Sequence, residues 1–226
     1  MAKPLVLVGA GELAQIACEY FTHDSDHEVV AFSVERDYMP TQGSTAPTLA
    51  GLPVLAYEDL ESLHAPDEVD VFVAIPATGL NRLRTRFYLD AKRRGYRFAS
   101  YVSSRAFVWR NAEIGENCFI FEGNVIQPFT RIGDNCILWS GNHIGHRTVI
   151  HEHAFVASHA VVSGYCEIGA SSFVGVNATF NDGVKVAADN VIGAGALITR
   201  DTDPGRVYVG SPARAVPGRS SFDIKL

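Results

Sequence analysis

From Ile114 to Ile198 a branched or bulky apolar residue stands at every sixth position, with no step missed. The series is Ile114, Ile120, Ile126, Ile132, Leu138, Ile144, Ile150, Val156, Val162, Ile168, Val174, Phe180, Val186, Ile192 and Ile198. A period of six suits neither a 3.6-residue helix nor a two-residue strand. It is what a chain shows when each triangular coil of three hexads turns one aliphatic side chain inward per face. Four places further on the residue is small in most hexads, as at Cys118, Thr130, Cys136, Thr148, Ala154, Ala160, Cys166, Ser172, Ala178 and Ala196, which lets the corners close. Glycine recurs one place after the inward residue, at Gly115, Gly133, Gly145, Gly169, Gly175 and Gly193, and is expected there to serve a tight turn. An antiparallel sandwich is the alternative, but its unequal loops would break this register.

The hexads resemble those of the hexapeptide acyltransferases, a resemblance that implies an all-β left-handed parallel β-helix over about residues 102–215. The preceding hundred residues read differently. PLVLVG is a short strand, ELAQIACEYFT a helix, HEVVAFSV a strand, YEDLESL a short helix and VDVFVAIP a buried strand. A basic amphipathic helix from Asn81 to Arg94 and the segment RFASYV complete the region. Strands alternating with helices predict a small Rossmann-like parallel sheet, so the expected division is an α/β domain over 1–101 and a β-helix domain with its tail over 102–226. Asp37 to Leu52, rich in Pro, Thr, Ser and Gly, reads as a mobile loop.

Two modest domains with real cores fit within 226 residues of which 47% are hydrophobic. No apolar run approaches the ~20 residues of a membrane span. The apolar start has only Lys3 ahead of it and reads as a strand, not a signal peptide. A net charge of −6 with dispersed basic residues argues against nucleic acid as a partner. A cytoplasmic protein is expected. Cys118 and Cys136, one coil apart, are expected to stack as inward thiols; a disulfide or metal pair is the other reading of that spacing.

Gly9-Ala10-Gly11-Glu12-Leu13-Ala14 fits G-x-G-x-x-G/A at the turn between strand and helix. The turn admits three readings: the pyrophosphate of a nucleotide sugar, NAD, or structure alone. The first makes Gly11, Glu12 and Leu13 candidate substrate contacts, with Glu35 after the second strand as a further one. Five histidines, His143, His146, His151, His153 and His159, crowd into one coil. They fall at different hexad positions, so no metal is expected. His146 differs from the rest, because the residue one coil above it is Gly164, followed by Asp182 and Arg200. With coils about 4.8 Å apart, a thioester lying on that column would meet the His146 imidazole at its carbon and the Gly164 N–H at its oxygen.

VGAGELA, AIPATGLNRLRTRF, IGHRTVI, VVSGYCEIG and IGAGALITRDTDPGRVYVGSPAR together resemble the bacterial sugar acetyltransferases of the sialic-acid and bacillosamine pathway type. That resemblance implies a trimeric β-helix that binds acetyl-CoA and an α/β domain that holds a nucleotide-linked sugar. It implies His146 as general base, the Gly164 amide as thioester contact, and Val176, Ala194 and Pro212 as acetyl-CoA contacts. Arg147 stands where the family often has Glu, which leaves Glu152 or an acid of a neighbouring subunit to orient the imidazole. The paired acids that read the base in the family are replaced by Ser33-Val34-Glu35-Arg36-Asp37.

The expected function is direct transfer of acetyl from acetyl-CoA to an amino or hydroxyl group of a nucleotide-linked sugar. No Ser or Cys has a convincing base partner, which disfavours an acyl-enzyme. The alternatives are a free small acceptor, or a noncatalytic β-helix scaffold. A homotrimer is expected, with Phe121, Phe129 and Trp139 as candidate interface aromatics.

Overall fold

The computed structural model describes residues 2–39 and 47–226. It divides into two compact units, Met1–Pro76 with Arg86–Tyr101, and Ala77–Thr85 with Val102–Leu226. In the first lie β1 (Lys3–Val8), α1 (Glu12–His23), β2 (His27–Val34), β3 (Thr48–Leu49), β4 (Leu52–Ala56), α2 (Leu60–Leu63), β5 (Asp70–Val73) and β6 (Arg97–Phe98); α3 (Arg82–Arg93) passes from one unit into the other. The sheet order is β3-β4-β2-β1-β5-β6. Every neighbouring pair is parallel except β3 with β4. Leu5 to Val8 and Val71 to Val73 are fully buried, as central parallel strands covered on both sides must be. α1 turns Leu13, Ala14, Ala17, Cys18 and Phe21 inward, and Phe21 meets Phe72 with ring centroids 5.4 Å apart.

The segment read as a loop from Asp37 to Leu52 is partly regular. Thr48–Leu49 pairs antiparallel with the start of β4, through a turn at Ala50 and Gly51 with φ of 49° and 79°. Positive φ at both turn residues is the hairpin geometry that suits strand twist, and an alanine at the first of them hides it in the sequence. Asp37 and Tyr38 lie in a 3₁₀ turn, and residues 40–46 lie outside the described residues.

The second unit is the left-handed β-helix. Two-residue strands eighteen apart pair in parallel on three faces, as Phe119↔Ile137, Val125↔His143 and Arg131↔Val149 exemplify. Every inward residue from Ile120 to Ile198 is buried. Outward residues distinguish the faces. The first carries Phe119, Ile137, Phe155, Phe173 and Val191; the second Phe107, Val125, His143, Val161, Thr179 and Leu197; the third Glu113, Arg131, Val149, Glu167 and Lys185. Residues 77–85 cover part of the first face. There Leu80 packs with Val191 and Val207, and Asn81 Nδ2 donates to the Ser171 carbonyl at 3.0 Å. Arg84, fully buried, donates to the carbonyls of Asn135, His153 and Ala154, and burial lowers its pKa to about 10. Strand Arg206–Gly210 extends the first face and Ala213–Ser220 returns antiparallel to it.

The recurrent glycines do not serve the turn expected of them. The left-handed position is two residues later, where all fourteen residues from Asn117 to Gly195 at steps of six have positive φ. Their N–H groups donate to the coil below, as Arg147 to Pro128 O and Tyr165 to His146 O. Gly145, Gly169 and Gly175 answer a different need, because a Cβ there would lie 2.4–2.6 Å from backbone atoms of the next coil. Gly169→Ala is therefore expected to cost about 1–3 kcal/mol through overpacking, read as a fall in the thermal unfolding midpoint. An unchanged midpoint would show that the coils can separate at no cost.

Cys118 and Cys136 stack as expected, fully buried free thiols whose Sγ atoms approach the carbonyls of Gly133 and His151 at 3.1 and 3.2 Å. Among the described residues no helix is long and apolar enough to cross a membrane.

Candidate active site

His146 stands at the corner between the second and third faces, exposed, with its N–H donating to Gln127 Oε1 at 3.0 Å. Its ring lies over Gly164: a Cβ on that glycine would be 2.9 Å from both ring nitrogens. Tyr165 meets the ring edge-on, with centroids 5.0 Å apart. The Gly164 carbonyl accepts from Gly183 N at 2.9 Å, whereas the Gly164 N–H has no acceptor among the described residues. A Cβ on Gly145 would come within 2.6 Å of that amide nitrogen. Two glycines thus keep one N–H open beside one imidazole, an arrangement that can hold an oxyanion next to a base. Nothing in the hexad reading singled out Gly145 for this part. Glu152 occupies the corner between the third and first faces, so the acid suggested for orienting the ring is not at this corner of the chain.

Val176 and Ala194 stack one coil apart at the corner between the first and second faces, and Val176 is exposed. The register Val191↔Val207 and Ile192↔Tyr208 carries Gly210 to the level above Ala194, so exposed Pro212 continues that edge. The His146 and Val176 columns therefore border the second face from opposite sides.

In the α/β unit, Gly9 has φ 125° and a Cβ there would be 2.8 Å from Ala74 O, whereas around Gly11 there is open space. Gly11 caps α1 through its carbonyl, which accepts from Ala14 and Gln15. The N–H groups of Glu12 and Leu13 have no acceptor among the described residues. Leu13 buries its side chain, leaving only its backbone to a ligand. Glu35 follows β2, but both its oxygens accept from Arg86, at 2.8 and 3.0 Å, and those bonds hold its carboxyl below the usual range. Arg86, an unremarked member of a basic helix, is what a ligand approaching Glu35 would meet.

The bacterial transferase hexapeptide pattern of six repeats matches residues 111–146 and 129–164. No curated protein sequence matches the chain. Among solved structures, PerB from Caulobacter crescentus, in complex with CoA and GDP-perosamine, superposes with a TM-score of 0.83 at 25% identity, over 96% of this chain and 98% of that one. The acetyltransferase domain of PglB from Neisseria gonorrhoeae FA1090 gives 0.82 at 23% identity, over 95% and 100%. The chain has the hexapeptide-repeat sugar acetyltransferase fold.

Two other histidines of the β-helix meet polar neighbours within the chain. His151 approaches Glu167 at 3.9 Å on the third face. His153 shares a polar ladder in which Asn117 Nδ2 donates to Asn135 Oδ1 at 2.7 Å and Asn135 Nδ2 lies 3.0 Å from His153 Nδ1. Burial pushes His153 below the usual histidine pKa; Arg84 and Arg82 act the same way, against Glu152 and Asp134. The native state then binds fewer protons than the unfolded chain. Stability from this group is full above the ordinary histidine pKa of about 6.5 and is lost as pH falls through the lower native value. Thermal midpoints from pH 7.5 to 5 are expected to drop less steeply in His153→Gln than in the wild type; equal slopes would remove His153 from the acid response.

Proposed function

We propose that this chain is an acetyl-CoA-dependent acyltransferase that acetylates an amino or hydroxyl group of a nucleotide-linked sugar, working as a cytoplasmic homotrimer. The observation that carries the reading is the His146–Gly164 pair, an accessible imidazole over a glycine whose amide proton has no acceptor among the described residues. The complex of PerB with CoA and GDP-perosamine, alike over nearly the whole chain, supports the substrate class. In this reading His146 accepts the proton of the amine or hydroxyl as it bonds to the thioester carbon. The Gly164 N–H donates to the developing oxyanion. The carbon–sulfur bond then breaks, and CoA leaves with the proton. Val176, Ala194 and Pro212 line the donor's path, and the open N–H groups at the start of α1, with Gly11, Glu12, Leu13 and the Glu35–Arg86 pair nearby, serve the nucleotide end.

A neighbouring subunit supplies what one chain leaves apart. The donor and base columns border opposite sides of the second face, and exposed Phe107, Trp109, Phe129, Val161 and Tyr165 gather on that face and at the His146 corner. Such an apolar patch on a soluble surface calls for a partner, and a threefold arrangement closes it with copies of itself. Phe121 and Trp139, the other aromatics considered for this role, are stacked on each other at 4.5 Å, and Phe121 is buried.

The test is release of CoA thiol on mixing the pure protein with acetyl-CoA and a panel of nucleotide-linked amino sugars, alongside light scattering. Release with a nucleotide-linked sugar at trimer mass is the expected result. Release only with free amino sugars or amino acids would move the acceptor class, acetyl-CoA binding without turnover would indicate a scaffold, and a monomer at micromolar concentration would refute the trimer.

A further inference from the structure

Arg147 follows His146 at the left-handed corner position, with φ 58°. The histidine ring leans onto Gly164 in the next coil, whereas the guanidinium carbon of Arg147 lies 4.5 Å from the Phe129 ring centroid in the coil before. Arg147 and Phe129 line a hollow with Asn111, Glu113, Arg131 and Val149. Two columns build it: Asn111, Phe129 and Arg147 repeat at eighteen along the corner, and Glu113, Arg131 and Val149 repeat at eighteen along the edge of the third face. Two guanidinium groups thus face one carboxylate. Arg131 Nε is 3.4 Å from Glu113 Oε2, and with side-chain exposures of 68% and 71% that pair is weak and easily exchanged. Arg147 has no carboxylate partner among the described residues. Stacking on an aromatic ring holds a guanidinium plane still while leaving its N–H edge free, which suits bidentate capture of a carboxylate or phosphate.

We infer that Arg147, with Arg131 and Asn111, forms a subsite for an oxyanion carried by the acceptor, so that the enzyme selects an acceptor bearing negative charge close to the acetylated group. This rests on the acetyl-transfer reading for its meaning, and its test is binding alone, without turnover. Wild type, Arg147→Gln and Arg147→Lys are titrated calorimetrically at low salt with inorganic pyrophosphate, glucuronate, CoA and dephospho-CoA, and each protein is weighed by light scattering. At least one of the first two probes is expected to bind the wild type and to lose tenfold or more in affinity in Arg147→Gln, with part of the loss restored in Arg147→Lys. Pyrophosphate as the sensitive probe identifies a phosphate group on the acceptor; glucuronate identifies a carboxylate on its sugar. Absence of binding by both anions, or equal binding to wild type and Arg147→Gln, overturns the subsite. Weakened CoA with unchanged dephospho-CoA overturns it in favour of the donor's 3′-phosphate, and a loss of trimer mass in Arg147→Gln overturns it in favour of a subunit contact. Absence of acetyl transfer by the wild type in the separate thiol-release assay, with the anion result intact, would instead count against the catalytic reading alone.

Discussion

His146→Ala is expected to lower kcat by roughly 10²–10⁴-fold, the usual worth of a general base, while the Kd for acetyl-CoA stays within about twofold, because the proposed donor contacts lie at another corner. Oligomer mass should not change. His143→Ala should do far less: its strand belongs to the second face, where it pairs with Val125 and Val161, and not to the corner. If His146 served only subunit packing, the alanine variant would lose mass and donor affinity together and keep its turnover per intact trimer. Measuring kcat, Kd and mass on one preparation separates these, and near-normal kcat in an intact trimer removes His146 from the mechanism.

Gly164→Ala should be nearly as damaging to turnover and almost harmless to folding. The added methyl would stand 2.9 Å from both His146 ring nitrogens, and a ring at the end of a side chain can swing away where a backbone cannot. A displacement of about 1 Å in a catalytic group can cost on the order of 10²-fold, and that is the loss expected in kcat, with a thermal midpoint close to wild type. Gly145→Ala provides the contrast. Its methyl would press on Ser163 C at 2.5 Å and Gly164 N at 2.6 Å, so stability and activity should fall together. A Gly164→Ala enzyme with wild-type kcat would mean that the ring does not act from the position it holds.

The prism and its inward residues were legible because one aliphatic per hexad is a one-dimensional signal, as Ile120 and Val174 illustrate by being fully buried. The chemistry of the corners was less so. Glycines after the inward residues looked like turn residues, whereas their role is to admit the neighbouring coil, a constraint eighteen residues away in sequence. The true left-handed positions hold Phe129, Arg147 and Tyr165 as readily as Gly183, since corner hydrogen bonds offset the strain of a side chain there. That spacing was present in the sequence at Asn117, Asn135, Asn177 and Asp189, residue types that tolerate such backbone. Partnerships between distant segments left no periodic trace: Glu35 with Arg86, or Arg84 with the carbonyls of Asn135 and His153.

The left-handed corners make the coil a ruler. Each corner N–H from Asn135 to Gly195 reaches the carbonyl nineteen residues earlier. An insertion of one or two residues anywhere along this stretch would break that count at the three corners of the coil that follows it, or be forced out as a bulge. Eighteen residues, by contrast, could be added or removed with the count intact, lengthening or shortening the prism by about 4.8 Å. The pair of coils that carries His146 and Gly164 would survive such an edit above or below it. A lineage built on this chain can therefore change its reach in whole coils while the local chemistry travels as a module.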